Sequence, residues 1–132
     1  MLRNLYIVTA SLYAVFIIII YAAGCGSSDT VTGIDSKPPS NPQIIINNGD
    51  VITYSQAVTL TLACDDDTGV TMMQMSNAPN REGNLWEPFS ESREWTLSDN
   101  YGIKTVYVRF RDASGNMSPF AEASITYSRE PD

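Results

Sequence analysis

Three consecutive carboxylates, Asp65, Asp66 and Asp67, form the longest run of like charge in the 132-residue sequence. Calcium takes about six to eight oxygen ligands, so this run and the more distant Asp112 could supply part of a calcium site. The spacing matches no EF-hand loop, and adjacent like charges also occur in solvated turns. The sequence therefore leaves two interpretations open, a solvated turn or a structural calcium site, and predicts no other cofactor.

Aromatic residues form a second group of candidate functional side chains, namely Trp86, Trp95 and Tyr101. Exposed aromatic rings stack on sugars and anchor protein interfaces, so these three residues are predicted binding residues. The alternative is that tryptophans pack in the core of a small β domain. We expect at least one of Trp86 and Trp95 to be buried.

The sequence offers little for catalysis. It contains no histidine, which removes the commonest general base and a common zinc ligand. No Gly-x-Ser-x-Gly nucleophile motif is present. The central glutamates could act in pairs in a glycosidase, but they are more simply surface charges near Arg81 and Arg93. We predict that the protein is not an enzyme. These glutamates are Glu82, Glu87, Glu91 and Glu94.

The amino-acid composition further narrows the classes of protein to which this chain could belong. Hydrophobic residues make up 43% of the chain and charged residues 17%, enough apolar surface to build a core. Eight Lys and Arg against fifteen Asp and Glu give a formal net charge of −7. Nucleic-acid binding requires clustered basic residues, so no nucleic-acid partner is expected.

The N-terminus has the pattern of a secretory signal. Arg3 provides a basic start, and Leu5 to Gly24 contains no charged residue. The segment Ala22-Ala23-Gly24-Cys25 resembles the lipobox of bacterial lipoproteins, although Ala22 stands where leucine is commonest. The resemblance implies that residues 1–24 are removed and that Cys25 carries diacylglyceryl and fatty acyl (palmitate) chains. Gly26, in place of aspartate, implies the outer membrane.

An uncleaved transmembrane helix remains the alternative for this segment, because Leu5 to Gly24 is long enough to span a bilayer. Both interpretations place the rest of the chain outside the cytoplasm. Cys64 is the other cysteine, and it is expected to be a buried thiol. A Cys25–Cys64 disulfide is the less favoured possibility.

A tether and one domain follow the signal. Residues 25–42 comprise Cys25 and the segment 26–42. This segment is rich in Gly, Ser, Asp and Pro, which indicates a flexible linker. Residues 43–128 alternate apolar and polar side chains with turn residues between the runs, and 129–132 form a short tail. This pattern predicts an all-β fold, an antiparallel sandwich of seven to eight strands, with an up-and-down barrel as the alternative. The clearest predicted strands are 57–64, 104–111 and 121–128; weaker ones are 43–47, 51–54, 70–75, 85–89 and 94–97.

Residues Gly102–Asn116 (GIKTVYVRFRDASGN) resemble the penultimate strand and turn of bacterial immunoglobulin-like modules. Thr68-Gly69-Val70, Met75-Ser76-Asn77, Trp86-Glu87-Pro88-Phe89 and Trp95-Thr96-Leu97 are similar to the same modules, and the resemblance covers roughly residues 39–128. It implies an immunoglobulin-like β-sandwich that serves as a spacer, adhesion or binding module. No cysteine lies near Val108, so the intersheet disulfide of antibody domains is not expected.

Together these features predict a non-catalytic cell-envelope lipoprotein, anchored in the membrane by lipid. Its immunoglobulin-like module would bind a protein or a glycan at the cell surface. One alternative is a carbohydrate-binding accessory that uses Trp86 and Trp95. Another is a structural subunit that assembles by β-strand addition. The apolar segment Ile44-Ile45-Ile46 could be the edge strand for such pairing. The favoured interpretation of this segment is a strand that is buried on both faces.

Overall fold

The alternating segments form eight strands. The structure, a computed structural model, describes residues 33–80 and 84–132, and residues 35–132 form one compact unit. The predicted signal segment and Cys25 lie outside the described residues. Among the residues described, no helix is both long and apolar enough to cross a membrane. The strands are β1 Ser40–Ile46, β2 Ile52–Thr53, β3 Ala57–Asp65, β4 Val70–Ser76, β5 Glu87–Pro88, β6 Ser92–Thr96, β7 Gly102–Asp112 and β8 Ala121–Tyr127.

Two sheets make up the domain. The three-stranded sheet has the order β1-β3-β6, and the five-stranded sheet has the order β2-β8-β7-β4-β5. All pairs are antiparallel except β2 with β8, which is parallel. Strand β7 is the centre of the larger sheet, with β8 on one side and β4 on the other. The predicted all-β architecture is confirmed.

The core lies between the two inner faces. Because side chains alternate along a strand, one residue in two from β3, β7 and β8 points inward. Phe110 is fully buried and meets the ring of Phe89 edge-on at 5.7 Å between centroids. The buried apolar residues are Ile44, Ile46, Val58, Leu60, Leu62, Met73, Met75, Leu97, Val106, Val108, Phe110 and Ile125.

The first strand differs from its prediction. It begins at Ser40, and Pro39 before it is fully buried, so ordered packing starts inside the segment expected to be linker. Strand β1 is an edge strand of its sheet, and Ile45 is 43% exposed. The favoured interpretation, burial on both faces, was therefore wrong, because only the inner face of this sheet packs on the core and Ile45 points away from it.

Three chain segments meet at one end of the sandwich. Ser40 pairs with Asp65 at the end of β3, which brings the residues before β1 to the β3–β4 turn. Val70 pairs with Asp112, which brings the β7–β8 turn to the same place. Both turns contain a glycine at positive φ, Gly69 at 97° and Gly115 at 94°, where other residues would be strained.

Candidate functional sites

A cluster of carboxylates occupies this end of the domain. One carboxylate oxygen each from Asp35, Asp66 and Asp112 lies within 4.8 Å of the other two. Asp35 precedes β1, Asp66 lies in the β3–β4 turn, and Asp112 ends β7. Two of the four predicted metal-site residues are thus brought together, with a third partner from the predicted linker. We call Asp35, Asp66 and Asp112 the carboxylate cluster.

Asp112 is the buried member of the cluster, only 2% exposed. Its Oδ1 accepts a hydrogen bond from the Asn116 backbone N–H at 2.9 Å, and its Oδ2 accepts one from Asn116 Nδ2 at 2.7 Å. Burial is the largest single influence on the pKa of this carboxyl and raises it, but the hydrogen bonds of Asn116, Ser114 and Gly115 together hold the pKa below its ordinary value. The carboxylate is therefore ionised in the folded domain at neutral pH.

Thr68 connects the other two members. Its Oγ1 lies 2.7 Å from Asp35 Oδ2 and 2.9 Å from Asp66 Oδ2, and its backbone N–H donates to the same Asp66 oxygen at 3.1 Å. Asp66 Oδ1 is buried and has no hydrogen-bond partner in the part of the chain that the structure describes. The side chain of Asn116 also donates to the Asp35 carbonyl at 2.8 Å, which fixes the entering chain against the β7–β8 turn.

Asp65 and Asp67 are not part of the cluster. Asp65 Oδ2 accepts a hydrogen bond from Asn41 Nδ2 at 3.1 Å. Asp67 Oδ2 lies 3.0 Å from Lys37 Nζ, and this exposed contact lowers the pKa of Asp67 and raises that of Lys37. Adjacent residues in a turn point in different directions, so the consecutive run does not form a common site.

The outer face of the five-stranded sheet carries an unusual set of side chains. Along β7, alternate residues point away from the core, and Trp86 and Phe120 contact them. The corresponding face of the smaller sheet presents mainly small or polar residues such as Thr59, Thr61 and Ala63. We call the larger-sheet surface the β7 face; its residues are Ile103, Thr105, Tyr107, Arg109, Arg111, Trp86 and Phe120.

Cation–π contacts organise this face. The guanidinium carbon of Arg109 lies 4.9 Å from the Phe120 ring centroid and 5.1 Å from that of Trp86. That of Arg111 lies 4.6 Å from the Trp86 ring. Arg109 Nε also donates to Oε1 of Gln74 at 2.8 Å. These contacts restrict side chains that would otherwise be mobile, so the β7 face is preorganised.

The other two predicted binding residues lie elsewhere. Trp95, on β6, is half-buried against the core, and its Nε1 donates to Asn77 Oδ1 at 2.7 Å. It lines an open cleft of about 310 Å³ with Met75, Asn84, Leu85 and Glu87. Tyr101 is 60% exposed and contacts Tyr127, with ring centroids 4.9 Å apart and ring planes tilted by 52°, near the opposite end of β7 from the carboxylate cluster. Trp86 and Trp95 are both only partly buried, so the expectation that at least one of them is buried was wrong. Trp86, Trp95 and Tyr101 do not form one surface.

The two arginines of the β7 face should differ in their contribution to stability. Arg109→Ala removes the donor to Gln74, which is 6% exposed, and leaves its buried amide oxygen unpaired. We expect the free energy of unfolding to fall by about 1–3 kcal/mol. Arg111→Ala loses a cation–π contact and should cost about 0.5–1 kcal/mol. Urea unfolding of both variants measures this difference; equal losses would contradict it.

Cys64 should react slowly with alkylating reagents. It is a half-buried free thiol whose Sγ donates to the Ser40 carbonyl at 3.1 Å. Burial, followed by the charge of Asp65, raises the pKa of this thiol to about 11 from 9.0. The thiolate fraction at pH 8 is then lower by roughly a hundredfold, and iodoacetamide labelling should slow in proportion. Peptide mass spectrometry in buffer and in urea tests this; equal labelling rates would refute it.

Comparisons with known proteins agree with the architecture. No protein-family model matches the sequence, and no curated protein matches it. Among solved structures, the PKD1 domain of Vibrio anguillarum Epp matches with a TM-score of 0.51 and 11% identity over 73% of this chain and all of that one. The fibronectin type-III domain of human fibronectin type III domain containing protein 3 matches with a TM-score of 0.40 and 13% identity over 71% and 92%. The described domain is an immunoglobulin-like β-sandwich.

Proposed function

We propose that this protein is a lipid-anchored, non-catalytic component of the cell envelope whose sandwich binds another protein through the β7 face. The lipobox-like segment at Cys25 supports the anchor, and the predicted destination is the outer membrane. The linker after Cys25 would let the domain stand away from the membrane surface.

The composition of the β7 face is the observation that carries the binding function. Protein interfaces are enriched in Trp, Tyr, Phe and Arg and depleted in Lys, Glu and Asp. Arg109, Arg111, Trp86 and Phe120 lie together in a chain whose net charge is −7. Ile103, 77% exposed, extends the face along β7. Restricted aromatic and arginine side chains lose little entropy on binding, which favours affinity.

A protein partner fits this geometry better than a glycan. Sugar rings stack on exposed aromatic faces, whereas Trp86 already contacts two guanidinium groups. The cleft beside Trp95 keeps glycan binding as the second candidate, because a half-buried ring at the edge of an open 310 Å³ cleft can contact one sugar. Binding of a glycan array by the wild type and its loss in Trp95→Phe or Trp95→Leu would favour this alternative.

Site-specific photo-crosslinking in cells tests the proposed surface. A photoreactive residue at Ile103 or Arg111 should yield a discrete cross-linked envelope protein. The same residue at Thr61, exposed on the smaller sheet, should not. A single product that forms equally from Thr61, or no product from either β7 position, would contradict the proposal. Cross-links between two copies of the chain from β1 positions such as Ile45 would instead support strand addition.

A further inference from the structure

Five of the six carboxylate oxygens in the cluster accept a hydrogen bond, among them Asp35 Oδ1, which accepts from the Lys37 backbone N–H at 2.9 Å. The hydroxyl of Thr68 carries one proton, yet its oxygen lies within 3 Å of carboxylate oxygens from both Asp35 and Asp66. With both carboxylates ionised, this single proton has to be shared between two acceptors.

A second observation comes from Asp66 Oδ1. This oxygen exposes less than 1 Å² to solvent and accepts no hydrogen bond from the described residues, although Asp66 as a whole is only partly buried. A buried carboxylate oxygen without a partner is costly, because it has lost water and gained nothing in exchange. The described donors around it are already used: Asn116 serves Asp112 and the Asp35 carbonyl, and the Thr68 N–H serves Asp66 Oδ2.

The negative charge of the cluster is also only partly compensated. Three carboxylates meet within 4.8 Å, and one of them, Asp112, is 2% exposed. Lys37 attracts Asp66 and Asp35 electrostatically, but its ammonium pairs with Asp67 and its side chain is 68% exposed. Like charges at this separation repel one another strongly where water is partly excluded. A cation among them would remove both the repulsion and the unpaired oxygen.

We propose that Asp35, Asp66 and Asp112 bind a calcium ion, which fastens the chain entering the domain to the β3–β4 and β7–β8 turns. The donors are all hard oxygens, as calcium requires, and neither histidine nor cysteine belongs to the cluster. Calcium accepts irregular geometry and completes its shell with carbonyls and water, whereas magnesium demands a regular octahedron. The site is independent of the β7 face, so its failure would leave the proposed binding function intact.

Calcium binding to the full-length protein in detergent tests this directly. After chelator treatment, equilibrium dialysis with radioactive calcium should find one bound ion per chain in the millimolar range or tighter, as for other extracellular modules. Calcium at 5 mM should raise the melting temperature by roughly 5–15 °C, and magnesium at 5 mM by much less.

Two variants and a control distinguish a metal site from a merely structural cluster. In EDTA, Asp66→Asn should melt at or above the wild-type temperature, because it removes like-charge repulsion. In calcium it should melt below the wild type, since it has lost a ligand. Asp35→Asn should behave in the same way and lies outside the strands, so folding is preserved. Asp50→Asn removes the same charge at an exposed position after β1 and should keep the full calcium response.

Several results would overturn the site. These are absence of bound calcium at 5 mM, an equal rise in melting temperature with magnesium, or an undiminished calcium response in both Asp35→Asn and Asp66→Asn. If Asp66→Asn fails to fold, Asp35→Asn alone decides between the two accounts.

Discussion

Replacing Phe110 with alanine is expected to lower the free energy of unfolding by about 3–5 kcal/mol. The side chain is fully buried on β7, the central strand of the larger sheet, and packs edge-on against Phe89. Its removal leaves a cavity that the surrounding strands cannot close without losing other contacts. A domain of this size has roughly 5–15 kcal/mol of total stability, so the variant should be close to unfolding.

Urea unfolding monitored by tryptophan fluorescence measures this loss. Ile103→Ala is the control on the same strand, because Ile103 is 77% exposed on the β7 face and its truncation should change stability by at most about 0.5 kcal/mol. If Phe110→Ala loses no more stability than Ile103→Ala, the assignment of the inner and outer faces of β7 is wrong.

Cys25→Ser is expected to abolish lipid attachment. In the proposed anchor, this thiol is the acceptor of the diacylglyceryl group, and serine offers no thiol for that transfer. Incorporation of labelled palmitate should fall to background. Processing of the signal should stop as well, so that the variant accumulates as a chain of 132 residues.

Cys64→Ser provides the matched control, since these are the two cysteines of the sequence. Cys64 is a half-buried free thiol in the structure, so its substitution should leave labelling with palmitate unchanged. Equal labelling of Cys25→Ser and the wild type would exclude the lipoprotein proposal. If only Cys64→Ser lost the label, the acyl chain would be on Cys64, and the proposed attachment at Cys25 would be wrong.

The strands could be predicted because their signal is local. Alternation in β3, β7 and β8 follows from the side chains of each segment alone, and all three appear near their predicted bounds. The two-residue strands β2 and β5 are much shorter than the segments predicted for them. Strand β2 pairs with β8, which lies far away in sequence, and β5 pairs with the preceding strand β4; neither pairing leaves much trace in the local pattern.

The candidate sites were predictable only in part for the same reason. Asp66 and Asp112 stood out as acidic turn residues, whereas Asp35 lay in a segment with the composition of a linker. Its role depends on the pairing of Ser40 with Asp65, which no local pattern reveals. Pro38 and Pro39 were the one local indication that the chain near Asp35 is ordered. They stiffen the chain just after Asp35, so this segment is less flexible than its Gly and Ser content suggests.

The β7 face shows a similar limit. Trp86 was recognised as a binding candidate by its residue type, but its neighbours Arg109 and Arg111 are more than twenty positions away in sequence. The sequence could place both arginines on the outer side of β7. It could not show that Trp86, just before β5, lies against both guanidinium groups.

The intact mass of the protein extracted from membranes tests the central claim, a lipid-anchored display module, most directly. The account predicts the mass of residues 25–132 increased by a diacylglyceryl group, with or without one further acyl chain. Partners would then be sought at the outer surface of the envelope. A mass that corresponds to all 132 unmodified residues would contradict the account and indicate a transmembrane anchor instead.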